Sequence, residues 1–264
     1  MKTQEITSIA KLSHKYAKSL GKSSILQTKP VQNYKTEGLK YLPISDAVNF
    51  SSENIIKDNI FSKLEKEIIN KIKFGKTEDA RVIDKNGNLA KEIFFIGNKY
   101  SVRLFPAMLY DENAMVKFND STFIHNHIYN ASLSSSDIYS MALLKIKKMV
   151  ACTSDGSYSI IERKLPITEM NYKEFTDEAG DLVVKEILEM EILGNIRGIT
   201  NTQRLKMLNQ WREAKIQTFA DKYSLEFKNN INELDDNIPI NDNLFFIGPI
   251  KRLIDNIIIR CKKN

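Results

Sequence analysis

The spacing of apolar residues along the chain predicts a helical segment before a β-rich middle region. Residues 6–20 place apolar side chains at helical intervals before Gly21, and residues 52–75 carry an isoleucine or leucine at every fourth position from Ile56 to Ile72. Both patterns are typical of amphipathic helices. Residues 22–50 have no steady period and are predicted to form a loop or connector.

The middle of the chain changes to short β-rich runs. Strands are predicted at 80–84, 92–96, 101–104, 122–127, 149–153 and 158–162, with one helix at 137–148. An Asn-Gly turn at Asn86 and Gly87 favours a hairpin between the first two strands, and the turn at Asp155 and Gly156 favours a hairpin between the last two. A helix inserted among strands in this order indicates an α+β fold.

The last hundred residues are predicted to be helical. Apolar positions indicate helices at 183–193, 200–223 and 249–258, the second of which begins with the capping-box pattern Thr200-x-x-Gln203. We therefore expect an α+β chain with a mixed β-sheet core between N-terminal and C-terminal helical regions. The predicted divisions are a basic helix and connector at 1–50, a core with its leading helix at 51–165, and a helical region at 166–264.

Composition favours an ordinary globular protein. The chain has 264 residues, of which 42% are hydrophobic and 27% are charged, and no run of about 18 apolar residues is present. The first twenty residues lack the apolar core of a secretory signal, so a cytoplasmic protein without a membrane partner is expected. The two cysteines, Cys152 and Cys261, form neither a disulfide framework nor a paired metal-binding motif.

The net charge of +6 belongs to the N-terminal arm. Residues 1–40 contain eight lysines and two glutamates, so the rest of the chain sums to zero. Such an arm could bind nucleic acid, an acidic partner or a membrane surface. Because it has no arginine and only two aromatic residues, the composition fits a solvated lysine-rich helix and tail better than a nucleic-acid arm.

The candidate chemistry lies at a predicted strand-to-helix junction. His125 and His127 project from the same face of a strand because they are two residues apart, with backbones about 6 to 7 Å apart. Asp137, at the start of the next helix, could return a carboxylate towards them. Two imidazoles and one carboxylate suit Zn²⁺ with a position left for water.

Each part of this pattern also has a structural interpretation. Ser134-x-x-Asp137 is a helix capping box, and two histidines in one strand are often surface or hydrogen-bonded residues. The joint order of the two motifs favours a metal site. An HNH nuclease is disfavoured because its ligands are dispersed over a ββα unit, whereas His125-Asn126-His127 is contiguous.

The same residues resemble the JAMM motif of JAB/MPN-domain zinc metalloproteases, whose pattern is HxH, a spacer and SxxD. Residues 77–88 are similar to the opening strand of RadC-like and phage-encoded JAB domains, and residues 151–163 are similar to their closing hairpin. The likeness covers about residues 75–165. It departs from the family pattern at Ile128, where a proline is usual, and in a spacer of six residues instead of seven.

The resemblance implies roles for individual residues. It implies that His125, His127 and Asp137 bind zinc, that Ser134 hydrogen-bonds in the active site, and that Glu78 is the general acid/base. From the sequence alone, Asp79 and Glu92 remain alternatives to Glu78, since a single sequence does not decide which carboxylate faces the metal.

Three functions follow as hypotheses. The first is a zinc-dependent hydrolase that cleaves a peptide or isopeptide bond in a protein or peptide substrate. The second is a non-catalytic JAB-like binding or assembly module, associated with a phage or mobile element, whose C-terminal helices make the contacts. The third is association with DNA, which would have to use the basic arm and would depend steeply on salt.

Overall fold

The computed structural model describes residues 60–93, 95–97, 102–104 and 111–232. Several predictions lie outside these residues: the helix at 6–20, the connector at 22–50, the first part of the helix predicted from residue 52, the last helix at 249–258, and the whole of the basic arm.

The described residues form five α-helices and seven strands. The helices are α1 (Lys63–Ile72), α2 (Glu112–Val116), α3 (Ser135–Leu143), α4 (Tyr172–Asn195) and α5 (Asn201–Lys222), with a 3₁₀ turn at Ile167–Glu169. The strands are β1 (Ala80–Ile83), β2 (Phe95–Gly97), β3 (Val102–Leu104), β4 (Thr122–His127), β5 (Lys148–Thr153), β6 (Tyr158–Arg163) and β7 (Leu225–Asn229). The α+β class predicted from the sequence is confirmed at this level.

Five of the strands form one mixed sheet in the order β1-β4-β5-β6-β7. Strands β4 and β5 are parallel, and the other neighbours in this sheet are antiparallel. Helix α3 connects the parallel pair, as a crossover between parallel strands requires. The strand that carries both histidines is therefore interior to the sheet, and its carboxyl end lies beside the carboxyl end of β5.

The predicted hairpin between 80–84 and 92–96 is wrong in its pairing. The Asn-Gly turn does form, with Gly87 at φ +83°, but it leads only to a single bridge between Ile83 and Leu89. Strand β1 instead pairs with β4, and β2 pairs with β3 in a separate two-stranded sheet. The local turn signal was correct, whereas the longer-range strand pairing could not be read from it. The hairpin of β5 and β6 is confirmed.

The prediction that the C-terminal region is entirely helical is also wrong. Residues Leu225–Asn229 form strand β7, which adds to the edge of the sheet beside β6. Helix boundaries shift as well. Helix α1 begins only at Lys63, because Ser62 caps it with a reciprocal capping box, and α3 ends at Leu143, so that Lys148 already belongs to β5.

Helices cover both faces of the large sheet. Apolar residues of α1 pack on one face, against Ile124, Val150 and Ile160. Residues of α3, α4 and α5 pack on the other face with Phe123 and Met149 in a second buried cluster. The two long C-terminal helices therefore share a hydrophobic core with the strand that carries the histidines. Cys152 is buried in β5.

Among the helices of the described part of the chain, none combines the length and apolarity needed to cross a bilayer.

Candidate metal centre

The predicted ligands come together where β4 ends and α3 begins. His125 and His127 project from the same face of β4, and Asp137 lies in the first turn of α3. His125 is almost fully buried, and one-fifth of the Asp137 side chain is exposed. One ligand atom from each residue lies within 4.8 Å of the others, which makes this group able to hold a metal ion.

The distances within the group are near those expected of a tetrahedral zinc site. Nε2 of His125 lies 3.0 Å from Nε2 of His127 and 3.4 Å from Oδ1 of Asp137. Nε2 of His127 lies 3.9 Å from Oδ2 of Asp137. Two atoms that each lie 2.0–2.1 Å from zinc at a tetrahedral angle are about 3.3 Å apart. The two distances from His125 are close to this value, and the distance between His127 and Asp137 is longer.

The capping box at the start of α3 fixes the Asp137 carboxylate. Its Oδ2 accepts hydrogen bonds of 2.7 Å from both the backbone N–H and the hydroxyl of Ser134, and Ser134 Oγ accepts one from the Asp137 N–H. Oδ1 is the oxygen nearest to His125. The structural and functional interpretations of Ser-x-x-Asp are thus compatible, because a single carboxylate caps the helix and faces the histidines.

A backbone carbonyl orients the second histidine. Nδ1 of His127 lies 2.8 Å from the carbonyl oxygen of Ala131. Because a carbonyl can only accept, Nδ1 carries the proton and the neutral ring keeps its lone pair on Nε2, which faces His125. A hydrogen bond of this kind on the far ring nitrogen is the usual support for a metal-binding histidine.

The two histidines have opposite pKa shifts in this arrangement. Burial tends to lower the pKa of His125, but the nearby carboxylates of Asp137 and Glu78 outweigh it, so the pKa is raised. Burial and the positive charge of His125 lower the pKa of His127 to about 4. Although burial opposes ionisation of Asp137, the two histidines and the Ser134 N–H hold the pKa of its carboxyl group well below the usual range. The metal-free group therefore pairs an ionised Asp137 with a proton on His125.

Of the three upstream carboxylates left open by the sequence, Glu78 is the one that interacts with the site. Burial raises the pKa of Glu78 to about 7, with a smaller rise from Asp137 and opposing effects from His125 and Arg212. Asp79 instead pairs with Arg81. The Glu92 side chain is half exposed and lies 3.6 Å from Lys117.

The C-terminal helices supply supporting residues that sequence reasoning missed. Glu186 of α4 is buried and accepts a 2.6 Å hydrogen bond from the backbone N–H of Ser135, and Arg212 of α5 donates to the same carboxylate. The side-chain amide of Asn209 contacts the loop before α3, donating to the Asn130 carbonyl at 2.8 Å. The sequence did contain a sign of this role. Glu186 lies four residues after the buried Leu182, so the helical repeat places its charge on the buried side of an amphipathic helix.

Comparison of the chain with protein-family models, with curated proteins and with solved structures gave no significant match. The resemblance to the JAMM motif therefore rests on the residues of the sequence motif themselves.

Proposed function

We propose that the protein is a zinc-dependent hydrolase of the JAMM type that cleaves a peptide or isopeptide bond in a protein or peptide substrate. The observation that carries the proposal is the convergence of His125, His127 and Asp137 at ligand spacing, with Glu78 close enough to interact electrostatically with two of them. Two imidazoles and one carboxylate are the ligand set of many hydrolytic zinc sites. When bound, zinc would supply Lewis acidity and lower the pKa of a coordinated water.

The chain's own residues account for the proton transfers of such a reaction. A carboxyl group with a pKa near 7 is suited to act as a base and then as an acid at neutral pH. Glu78 would take a proton from the attacking water as the new C–O bond forms, and would donate it to the leaving nitrogen as the C–N bond breaks. Ser134 would hold Asp137 in place through its hydroxyl and backbone N–H.

The first test is the metal content of the purified protein. We expect about one zinc per chain in the wild type and none in a His125→Ala/His127→Ala double variant, measured by elemental analysis. If the wild type takes up no metal even when zinc is supplied at neutral pH, the hydrolase proposal fails and a non-catalytic module becomes the better explanation.

The second test separates metal binding from catalysis. Glu78→Gln is expected to retain zinc and to lose about 10²–10⁴-fold in the rate of cleavage of peptide and isopeptide substrates, as expected for a missing general base. The matched control is Glu92→Gln, because Glu92 is exposed and pairs with Lys117. Equal loss in both variants would contradict the role of Glu78.

A further inference from the structure

The residue between the two histidines connects β4 to the segment that carries Glu78. Asn126 is fully buried, and its side chain points to the face of the sheet opposite the histidines. Its Oδ1 accepts a 2.5 Å hydrogen bond from the Asp79 N–H, and its Nδ2 donates to the Thr77 carbonyl at 3.3 Å. The Asn126 N–H also donates to the Asp79 carbonyl at 3.2 Å. Asn126 thus bonds to the residue on each side of Glu78.

These bonds lie where the backbone ladder between β1 and β4 ends. Two residues that form a hydrogen-bonded antiparallel pair normally exchange both of their backbone N–H···O bonds. Asn126 and Asp79 make one such bond through the backbone, but the other comes from the Asn126 side chain. The side-chain oxygen of Asn126 therefore accepts the hydrogen bond that its backbone carbonyl would otherwise accept from Asp79, the residue next to Glu78.

The register of the two strands sets the direction of the Glu78 side chain. Ala80 pairs with His125, and the Asp79 bonds extend that pairing to Asn126. One further step along the same register brings Glu78 opposite His127. Because paired residues share a face of the sheet, Glu78 lies on the face of the histidines as long as the segment keeps this register.

A glycine supports the same segment on another side. A Cβ atom built on Gly97 of β2 would overlap the carbonyl oxygen of Glu78, so only glycine allows the two backbones to come this close. The backbone of Glu78 therefore lies against β2, while the residues on either side of it bond to Asn126.

We infer that Asn126 is a positioning residue that holds the Glu78 carboxyl group in the metal centre by fixing the backbone on both sides of it. The inference rests on the proposed function for the role of Glu78, but the placement itself can be tested without any substrate.

The kinetic test uses Asn126→Ala. We expect zinc content to stay at the wild-type level, kcat to fall about 10²-fold as for a misplaced catalytic group, and KM to change less than about twofold. The loss should vanish in a Glu78→Gln background, because the two substitutions disable the same group. If Asn126→Ala slows the Glu78→Gln enzyme by the same factor as the wild type, the inference is overturned.

A second test does not depend on catalysis. In the metal-free full chain, ¹³C NMR of the Glu78 carboxyl carbon should show a pH midpoint that moves down from about 7 towards the ordinary value of 4.5 in Asn126→Ala, because the group leaves its partly buried position. An unchanged midpoint would refute the positioning role even if the protein proves to have no hydrolase activity.

The matched control is Cys152→Ala. Cys152 is the register partner of Asn126 on β5 and is equally buried, but it has no bond to residues 77–79 among those the structure describes. The Cys152→Ala substitution should lower thermal stability while leaving the pH midpoint of the Glu78 carboxyl group and kcat at wild-type values. A shift as large as that of Asn126→Ala would show that general loosening of the sheet, and not the amide bonds, moves Glu78.

Discussion

Arg212 and Glu186 form a buried ion pair that supports the start of α3, the helix that carries Asp137. Nε of Arg212 donates to Oε1 of Glu186 at 2.9 Å, while Oε2 accepts from the Ser135 N–H at 2.6 Å. Ser135 is the first residue of α3, two positions before Asp137. The C-terminal helices are thus connected to the candidate metal centre through a carboxylate that accepts a hydrogen bond from an N–H of the first turn of α3.

Removal of Arg212 should be strongly destabilising. Arg212→Met leaves the Glu186 charge buried without its partner, which typically costs about 3–5 kcal/mol. Urea unfolding would measure the loss. The comparison is Lys173→Ala, which breaks the exposed pair with Asp177 on α4 and should cost about 0.5 kcal/mol or less. Similar values for the two variants would contradict a structural role for the buried pair.

The capping box of α3 should matter for metal affinity as well as for stability. Ser134→Ala removes the helix cap at a cost of about 1 kcal/mol and releases one restraint on Asp137. Loss of such a supporting hydrogen bond typically lowers metal affinity about 10–100-fold. Zinc affinity measured by competition with a chromophoric chelator, alongside thermal unfolding, would report both effects.

The control for this prediction is a second capping box in the same chain. Thr200 caps α5 through the same reciprocal bonds with Gln203. Thr200→Ala should cost a similar amount of stability and leave the zinc affinity unchanged. If it weakens zinc binding as much as Ser134→Ala does, the effect reflects global stability.

Zinc binding should release a proton at neutral pH. The pKa of His125 is raised by Asp137, so this ring is largely protonated in the metal-free site at pH 6.5, and a metal must displace that proton. His127, whose pKa is lowered to about 4, is already neutral. Calorimetry in buffers of different ionisation enthalpy should detect a proton release, and the part that comes from His125 should decrease as the pH rises above the His125 pKa. A release that does not vary with pH would contradict this assignment.

The Glu78 carboxyl group should make the metal-free chain less stable as the pH rises. Its folded pKa of about 7 lies above its ordinary value of 4.5, so its contribution to stability is fully present below pH 4.5 and is lost as the pH rises through 7. Glu78→Gln removes this dependence. The free energy of unfolding of Glu78→Gln minus that of the wild type, measured by urea unfolding, should therefore be larger at pH 8 than at pH 4. A difference that is equal at both pH values would mean that Glu78 is not buried as described.

The sequence predicted the parts of the site that depend on local geometry. Two histidines two residues apart in a strand share a face, and Ser-x-x-Asp starts a helix, whatever the rest of the chain does. The contribution of Glu186 and Arg212 could not be predicted, because it depends on how two long helices pack against α3. Strand β7 was missed for a related reason. Its five residues begin only three positions after the end of a long helix, and their strand conformation is stabilised by pairing with distant β6.

The dependence of α3 on Glu186 and Arg212 has a consequence for biosynthesis. The ligands and Glu78 leave the ribosome well before α4 and α5, and the edge strand β7 follows later still. Because synthesis runs from the N-terminus to the C-terminus, the nascent chain carries the candidate metal ligands before it carries Glu186 and Arg212. The Arg212–Glu186 pair can therefore form only after α5 has emerged, and a shortened translation product that ends before α5 would lack this support for Ser135.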